Sequence, residues 1–212
     1  MTKQSLIETF IDLVKINSET KHERKIADHL INLFFELGLE VTEDEIGETT
    51  DHEAGNLIVR YPANQPDKPA IFFTAHMDTV TPGIEIQPEV KTDYIYSDGT
   101  TILGADDKAG VAAMIEAIKQ LSSMSLTHGD IYFVITTGEE SGLIGSKYFS
   151  IERLPVSYGY ALDSDGDVGH IVTTAPAQRK IFATITGKSA HAGVQPEKGV
   201  SAISITQRPL PK

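Results

Sequence analysis

The 212-residue sequence contains no cysteine. This absence excludes disulfide bonds and thiolate metal sites together, so a bound metal would need histidine, aspartate and glutamate ligands. Basic residues are also few, because 18 Lys and Arg stand against 30 Asp and Glu, a formal net charge of -12. That charge repels phosphate backbones and anionic membrane surfaces, which argues against nucleic acid and membrane as partners.

Long apolar runs are absent as well. The first ten residues contain no continuous apolar segment of the signal-peptide kind, and no stretch approaches the length of a membrane span. We therefore expect a cytoplasmic protein. The apolar content of 40% suffices for a globular core, and the length suits one large domain or a domain and a half.

Hydrophobic periodicity predicts alternating helices and strands, which is typical of an α/β fold. Apolar residues at helical spacing predict helices at 6–14, 26–37 and 111–121. Apolar or β-branched runs predict strands at 56–61, 70–75, 131–135, 158–162 and 181–185. A short hairpin is expected within 82–98 and a short helix within 142–149. Thr20 and Glu23 form the pattern of a capping box that opens the second helix, whereas 41–53 has no clear pattern.

The segment 130–142 is the one around which the chain is organised. Residues 131–135 are β-branched or aromatic without a polar break, which predicts a strand buried on both faces. The strand leads into Gly138, Glu139 and Glu140. Such a pair alone is more often an acidic surface turn. At the carboxyl edge of an α/β sheet, where ligands bind, it also suits a bound cation or substrate.

A second candidate follows the apolar strand 70–75, which leads into His76 and Asp78. Because side chains alternate along a strand, these two residues point to the same side. That is the arrangement of an imidazole metal ligand and a carboxylate that orients it. A lone pair of this kind is weak evidence, since a surface histidine near an aspartate is common.

Aspartates supply the remaining candidates. Asp106 and Asp107 precede the predicted helix at 111–121, where carboxylates cap exposed N–H groups, and capping accounts for one of them. The nearby glycines are not a Walker A loop, because no Ser or Thr follows Lys108 as that motif requires. Asp163 ends the strand 158–162, and the acidic residues after it lack the sixth and twelfth positions of an EF-hand.

These carboxylates and His76 each follow a strand or begin a helix, so the alternation of elements places them at one edge of one sheet. Five or more ionised carboxylates could not gather there without bound positive charge. Oxygen and imidazole ligands without sulfur favour zinc, manganese or cobalt. A carboxylate-bridged pair of such ions, about 3.5–4 Å apart, is an arrangement that catalyses hydrolysis.

Four motifs stand in order along the chain: A-H-M-D-T-V at 75–80, G-A-D-D-K-A-G at 104–110, G-E-E at 138–140 and A-L-D at 161–163. They resemble those of the di-zinc aminopeptidase and aminoacylase family that includes carboxypeptidase G2, most of all its tripeptidase (peptidase T) branch. The resemblance covers residues 1 to about 205. It implies a three-layer, zinc-exopeptidase-like α/β catalytic domain on a mixed sheet at 1–175. The beginning of an α+β, ferredoxin-like lid is expected at 176–212.

The resemblance also implies two zinc ions per subunit, with manganese or cobalt as alternatives. Residue by residue, it makes Asp106 the bridging ligand. It makes His76 and Asp163 ligands of one ion and Glu140 a ligand of the other.

Further roles come from the same resemblance. Glu139 becomes the general base that takes a proton from the attacking water, and Asp78 orients His76. The peptide bond between Asp106 and Asp107 is expected to be cis. In the lid, His191 would reach across a homodimer to polarise the scissile carbonyl of the partner's substrate.

Members of the family continue through the rest of the lid and a last histidine ligand. We expect a truncation or a shifted reading frame, since Pro209 and Pro211 cannot continue the lid helix that starts near residue 200. The second zinc position would then keep only Asp106 and Glu140. We therefore expect about one tightly held zinc and little or no peptidase activity, unless His128 or His170 replaces the missing ligand.

The expected function is metal-dependent hydrolysis of the N-terminal peptide bond of short peptides. A carboxypeptidase or an N-acyl amino acid deacylase of the same family is the alternative within this chemistry. A truncated fragment without enzymatic role is the alternative outside it.

Overall fold

The computed structural model describes residues 3–124, 126–177, 179 and 181–207. The chain divides into two compact units, Met1–Asp167 and Val168–Lys212. Most regular structure belongs to the first unit, and the described residues of the second form short elements only. The assignment of 1–175 to a catalytic domain and of 176–212 to a lid stays a prediction.

Helices and strands alternate through the first unit. The α-helices of the described residues are α1 (Lys3–Val14), α2 (Arg24–Glu36), α3 (Ile46–Thr49), α4 (Ala105–Ser123), α5 (Ile144–Tyr148) and α6 (Ala202–Thr206). The strands are β1 (Glu40–Glu43), β2 (Leu57–Tyr61), β3 (Ile71–His76), β4 (Pro88–Lys91), β5 (Tyr94–Ser97), β6 (Ile131–Thr136) and β7 (Tyr158–Ala161). The predicted hairpin is β4 with β5, and β1 and α3 occupy the stretch that had no clear pattern.

Five strands form one mixed sheet in the order β1-β2-β6-β3-β7. Strand β2 pairs antiparallel with both β1 and β6, whereas β3 lies parallel to both β6 and β7. The predicted α/β fold on a mixed sheet is confirmed. Because β3, β6 and β7 run in one direction, their carboxyl ends meet at the same edge of the sheet.

Strand β6 lies at the centre of the sheet, and all six of its residues are buried, as its unbroken apolar sequence predicts. Phe133 is 1% exposed and stacks on Phe73 of the neighbouring strand with ring centroids 5.9 Å apart. Burial of one such side chain stabilises the fold by about 1.5–3 kcal/mol. The strand is therefore a rigid support for the loop that follows it.

Helices α1, α2 and α4 contribute to the core on one face of this sheet. Leu13, Leu30 and Ile115, one from each helix, are 0–1% exposed and belong to the same cluster as Phe133. The helical spacing of apolar residues places these side chains on one stripe of each helix. Helix α4 is thereby fixed against β3, with its N-terminal aspartates at the carboxyl edge of the sheet.

The predicted capping box at the start of α2 is wrong. Glu23 is the residue before the helix, and it makes no side-chain cap hydrogen bond. The hydroxyl of Thr20 has no hydrogen-bond partner among the described residues. The Glu23 carboxylate instead accepts hydrogen bonds from the amide of Lys21, at 2.7 Å, and from the buried ring of His52. A buried histidine partner therefore outcompetes the local cap.

The predicted strand at 181–185 is also not formed, and its described residues have no regular structure. Ile181 and Phe182 are 84% and 91% exposed. A strand needs a neighbouring strand to satisfy its backbone, and the described part of this unit offers only an isolated bridge between Lys188 and Val200. Helix α6 begins near the predicted position, but Pro209 and Pro211 lie outside the described residues.

Within the part of the chain that the structure describes, every helix is too short or too polar to span a lipid bilayer.

Candidate metal centre

The candidate site lies where β3 and β6 end. His76, the last residue of β3, pairs in register with Thr136, the last residue of β6. The amide of Met77 donates to the Thr136 carbonyl oxygen at 2.9 Å, which ties the two strand ends together. Glu139 and Glu140 follow within four residues. The topology thus brings residues more than sixty positions apart in sequence to one edge.

His76 is 2% exposed, and its two ring nitrogens face different partners. Nδ1 lies 2.9 Å from the backbone oxygen of Asp78 and 3.4 Å from the Oδ1 atom of the same residue. Nε2 lies 2.9 Å from Oδ1 of Asp106. Because Nδ1 donates to oxygens of Asp78, Nε2 is the atom available to a metal, which is the usual arrangement of a histidine ligand.

Asp78 does more than orient the histidine. It is fully buried, and its carboxylate accepts the amide of Glu139 on Oδ1 at 3.0 Å and the amide of Glu140 on Oδ2 at 3.1 Å. The same side chain therefore fixes the backbone of both glutamates after β6. The sequence did not predict this contact. A local pattern carries no information on a side chain after one strand that binds the backbone after a distant strand.

Three side chains form a group that fits a metal ion. The ligand atoms of His76, Asp106 and Glu140 all lie within 4.8 Å of one another. Asp163 lies outside this group but lines a cavity together with His76. The division of ligands expected from the resemblance, with Asp163 beside His76 and Glu140 apart, stays a prediction.

Glu139 lines a cavity of about 180 Å³ beside this group. His76, Asp163, Leu143 and Ser146 line the same cavity. A larger cavity of about 590 Å³ lies between the β1–α3 region and residues 148–154, and no histidine lines it. The chemistry therefore favours the smaller cavity as the place where a substrate meets the metal ligands.

Two of the clustered acids have raised pKa values, because they are desolvated and lie near other carboxylates. Desolvation, with the charges of Asp106 and Glu139, raises the pKa of Asp163 to about 6. Desolvation and the neighbouring Glu139 also raise the pKa of Glu140 above its usual value. Both carboxyl groups are therefore costly to ionise without a compensating cation. A cation bound between them would remove that cost.

The pKa of His76 is raised, although burial alone would lower it. Burial lowers it, but the hydrogen bond and charge of Asp78, with the hydrogen bond to Asp106, outweigh burial and raise the pKa to about 10. The pKa of Asp78 is lowered, because its bonds to His76 and to two backbone amides outweigh its own burial. His76 and Asp78 thus form an ion pair that holds a positive charge where a metal would place one.

Asp107 caps the start of helix α4. The sequence predicts this role for one of the two residues Asp106 and Asp107. Its Oδ1 accepts the amide of Gly110 at 3.1 Å, and burial raises its pKa to about 7. Regular helical geometry begins only after Asp107, and the peptide bond between Asp106 and Asp107 is cis, as expected. Asp106 is left free to turn its carboxylate, 70% exposed, toward His76.

The two histidines considered as replacement ligands belong to different units of the chain. His128 precedes β6, at the end of the sheet opposite the site, and its Nδ1 lies 2.8 Å from the backbone oxygen of Gly129. His170 belongs to the second unit, as does His191, whose Nδ1 accepts the amide of Gly193 at 3.2 Å. The role expected for His191 stays a prediction.

The donor set suits zinc. Imidazole nitrogen and carboxylate oxygen, without sulfur, are ligands that zinc accepts, as do manganese and cobalt. Glu140, whose pKa is raised, belongs to the group, Asp163 lines the cavity beside it, and Nε2 of His76 faces Asp106 within it. The residues present therefore fit a metal ion, and His76, Asp106 and Glu140 would hold it.

Comparison with known proteins agrees with this chemistry. A model of peptidase family M28 matches residues 56–200. The uncharacterized protein YqjE of Bacillus subtilis strain 168 is 52% identical over the whole of this chain, which spans 57% of its length.

Two solved structures share the fold. The aminopeptidase PepT of Bacillus cereus ATCC 10987 is 49% identical with a TM-score of 0.80, over 99% of this chain and 58% of that protein. A tripeptidase of Staphylococcus aureus Mu50 is 43% identical with a TM-score of 0.80, over 97% of this chain and 55% of that protein. This chain thus spans a little over half the length of the relatives it matches. The matched family model, the high identity and the shared fold together show that the chain belongs to peptidase family M28 and to the peptidase T (tripeptidase) branch of such metallopeptidases.

Proposed function

We propose that this chain carries the catalytic centre of a zinc-dependent aminopeptidase that removes the N-terminal residue from short peptides, tripeptides above all. The single observation that carries the proposal is the placement of Glu139 in a cavity beside the His76, Asp106 and Glu140 group. A carboxylate next to a metal-binding group, but outside it, is the arrangement of a general base in a metallopeptidase.

Zinc bound to this group would polarise the scissile carbonyl and favour ionisation of the attacking water. The chain's own residues would do the rest. Glu139 takes the proton from the water and returns it to the leaving amine. Asp78 keeps Glu139 in place through its amide and keeps Nε2 of His76 directed at the group.

The finer architecture is part of the same proposal. The three-layer catalytic domain, the ferredoxin-like lid and the homodimer are features of the family resemblance. A second zinc ion at Asp106 and Glu140 is another such feature, as is the role of Asp163 as a ligand of the same ion as His76. In that arrangement His191 would polarise the carbonyl of a substrate held by the partner subunit. The residues of the relatives that lie outside the matched region would correspond to the remainder of the lid.

Product analysis of a free and a blocked tripeptide tests the proposal. The chain is incubated with zinc and either trialanine or N-acetyl-trialanine at high protein concentration, and the products are identified by mass spectrometry. We expect slow, zinc-dependent release of the N-terminal alanine from the free peptide only. Release of the C-terminal residue would indicate a carboxypeptidase, and release of acetate a deacylase; either result would overturn the aminopeptidase assignment.

A non-enzymatic fragment is the second candidate. It is favoured by the second unit, whose described residues form an isolated bridge but no strand. Zinc binding without cleavage of either peptide would support it against the first proposal.

A further inference from the structure

A buried histidine and a buried glutamate lie behind the turn that carries the two site glutamates. This turn, residues 138–141, is the glutamate turn. The side chains of His52 and Glu23 are 1% and 0% exposed, and Nδ1 of the histidine lies 2.7 Å from Oε1 of the glutamate. Because a carboxylate only accepts hydrogen bonds, Nδ1 carries the proton and donates it to Glu23.

The other edge of the ring meets the glutamate turn. Nε2 of His52 lies 3.1 Å from the hydroxyl oxygen of Ser141, which lies 3.2 Å from the carbonyl oxygen of Gly138. The ring packs directly on Gly138, where an added Cβ would lie 2.4 Å from the Cε1 atom of His52. Gly138 also has a φ of +58°, which favours glycine. His52 therefore touches both ends of the turn.

Asp78 holds the same turn from the other side, through the amides of Glu139 and Glu140. The turn is thus clamped between an aspartate that binds its middle and a histidine that binds its ends. Side chains that act at a metal site must be held within about 0.5 Å of their working positions, and this precision comes from the groups behind them.

We propose that His52, fixed by Glu23, is a positioning residue that sets the glutamate turn and so places Glu140 at the metal and Glu139 at the substrate. The inference rests on the proposed function, because it assigns His52 a role in that same site. It accounts for a buried pair of a histidine and a glutamate that the metal ligands do not explain. It also accounts for the loss of the cap at α2, since Glu23 is used to hold His52.

The same atoms form a series of hydroxyl, imidazole and carboxylate like that of a serine hydrolase. Acyl transfer at Ser141 would also need free N–H donors for the oxyanion. The amides of Gly142 and Leu143 both donate to the carbonyl oxygen of Glu139, at 2.9 and 2.8 Å. These donors are already used, and the geometry supports positioning rather than a nucleophilic serine.

Two substitutions of His52 separate the contacts of its two nitrogens. In His52→Gln the amide nitrogen replaces Nε2, so the contact with Ser141 is kept and that with Glu23 is lost. In His52→Asn the amide nitrogen replaces Nδ1, so the contact with Glu23 is kept and the contact with Ser141 is lost. Zinc affinity is measured by competition with a chelator, well below the melting temperature of each variant. We expect His52→Asn to weaken zinc binding by about 10–100-fold, which is the usual effect of losing a group that orients a metal ligand. We expect His52→Gln to weaken zinc binding less.

Ser141→Ala is the second variant, because the serine is exposed and its loss leaves the core intact. It should weaken zinc binding by about 2–10-fold, the effect of one hydrogen bond, at an unchanged melting temperature. The matched control is His22→Gln. His22 pairs with Glu53 at 2.9 Å on the surface, with side chains 69% and 50% exposed, so its loss should leave zinc affinity unchanged.

The positioning role is overturned if Ser141→Ala and the folded His52→Asn protein both bind zinc as the unaltered chain does, whatever their melting temperatures. It is also overturned if His52→Gln weakens zinc binding more than His52→Asn. Absence of peptide cleavage by a zinc-loaded, unaltered chain would contradict the proposed function alone, because the zinc affinities of the variants would still decide the role of His52.

Discussion

At the scale of single residues, Glu139 and Glu140 are neighbours with different surroundings. Glu140 belongs to the group of metal ligands, whereas Glu139 lines the adjacent cavity. We predict that Glu139→Gln lowers peptide cleavage by about 10²–10⁴-fold and leaves zinc affinity within twofold or so, because it removes a base and no ligand. Glu140→Gln is the matched control and should weaken zinc binding. Unaltered cleavage by the Glu139→Gln protein would rule out its role as the base.

The protonation of His76 makes a second prediction at this scale. Its pKa of about 10 means that the ring is charged at neutral pH in the metal-free chain, and it must lose this proton to bind zinc. Zinc affinity should therefore rise with pH, by up to about tenfold per unit between pH 6.5 and 8.5. Below a pH of about 6 Asp163 also takes up a proton, which steepens the loss. Titration calorimetry in two buffers should show release of about one proton at pH 7.

Affinity that stayed constant across this pH range, without proton release, would contradict a charged His76 in the metal-free chain.

Residues at the site differ in how far the sequence predicts them. His76, Asp106 and Glu140 were expected from their positions after strands or before a helix, and the structure brings them together. The backbone contacts of Asp78 and the pair of His52 with Glu23 were not expected. They join segments far apart in sequence, and a pattern of local spacing carries no information on such contacts.

At the scale of elements, β6 supports the site. We predict that Phe133→Ala lowers the free energy of unfolding by about 3–5 kcal/mol, because it opens a cavity beneath the central strand. Phe35→Ala is the control, since Phe35 is 77% exposed on α2 and its loss should change stability by less than about 0.5 kcal/mol. Urea denaturation measures both. Equal losses in the two variants would mean that β6 does not carry the core.

Elements with their own periodicity were predictable, whereas those that depend on distant partners were not. Strand β6 and helix α4 are specified by their apolar residues, and both lie where the pattern places them. The apolar run at 181–185 has the composition of a strand but lacks a strand to pair with in the described chain. The capping box failed for a related reason, because Glu23 found a buried partner across the fold.

At the scale of the whole molecule, the described residues contain one assembled group of metal ligands, and the chain spans a little over half the length of its relatives. The central claim is that His76, Asp106 and Glu140 hold a zinc ion in this chain.

Zinc content after exhaustive dialysis tests that claim most directly, with the unaltered chain compared with Asp106→Asn and with the surface control His22→Gln. We expect about one equivalent of zinc in the unaltered chain and in the control, and loss of the metal from Asp106→Asn. Retention of zinc by Asp106→Asn, or no zinc in the unaltered chain, would contradict it.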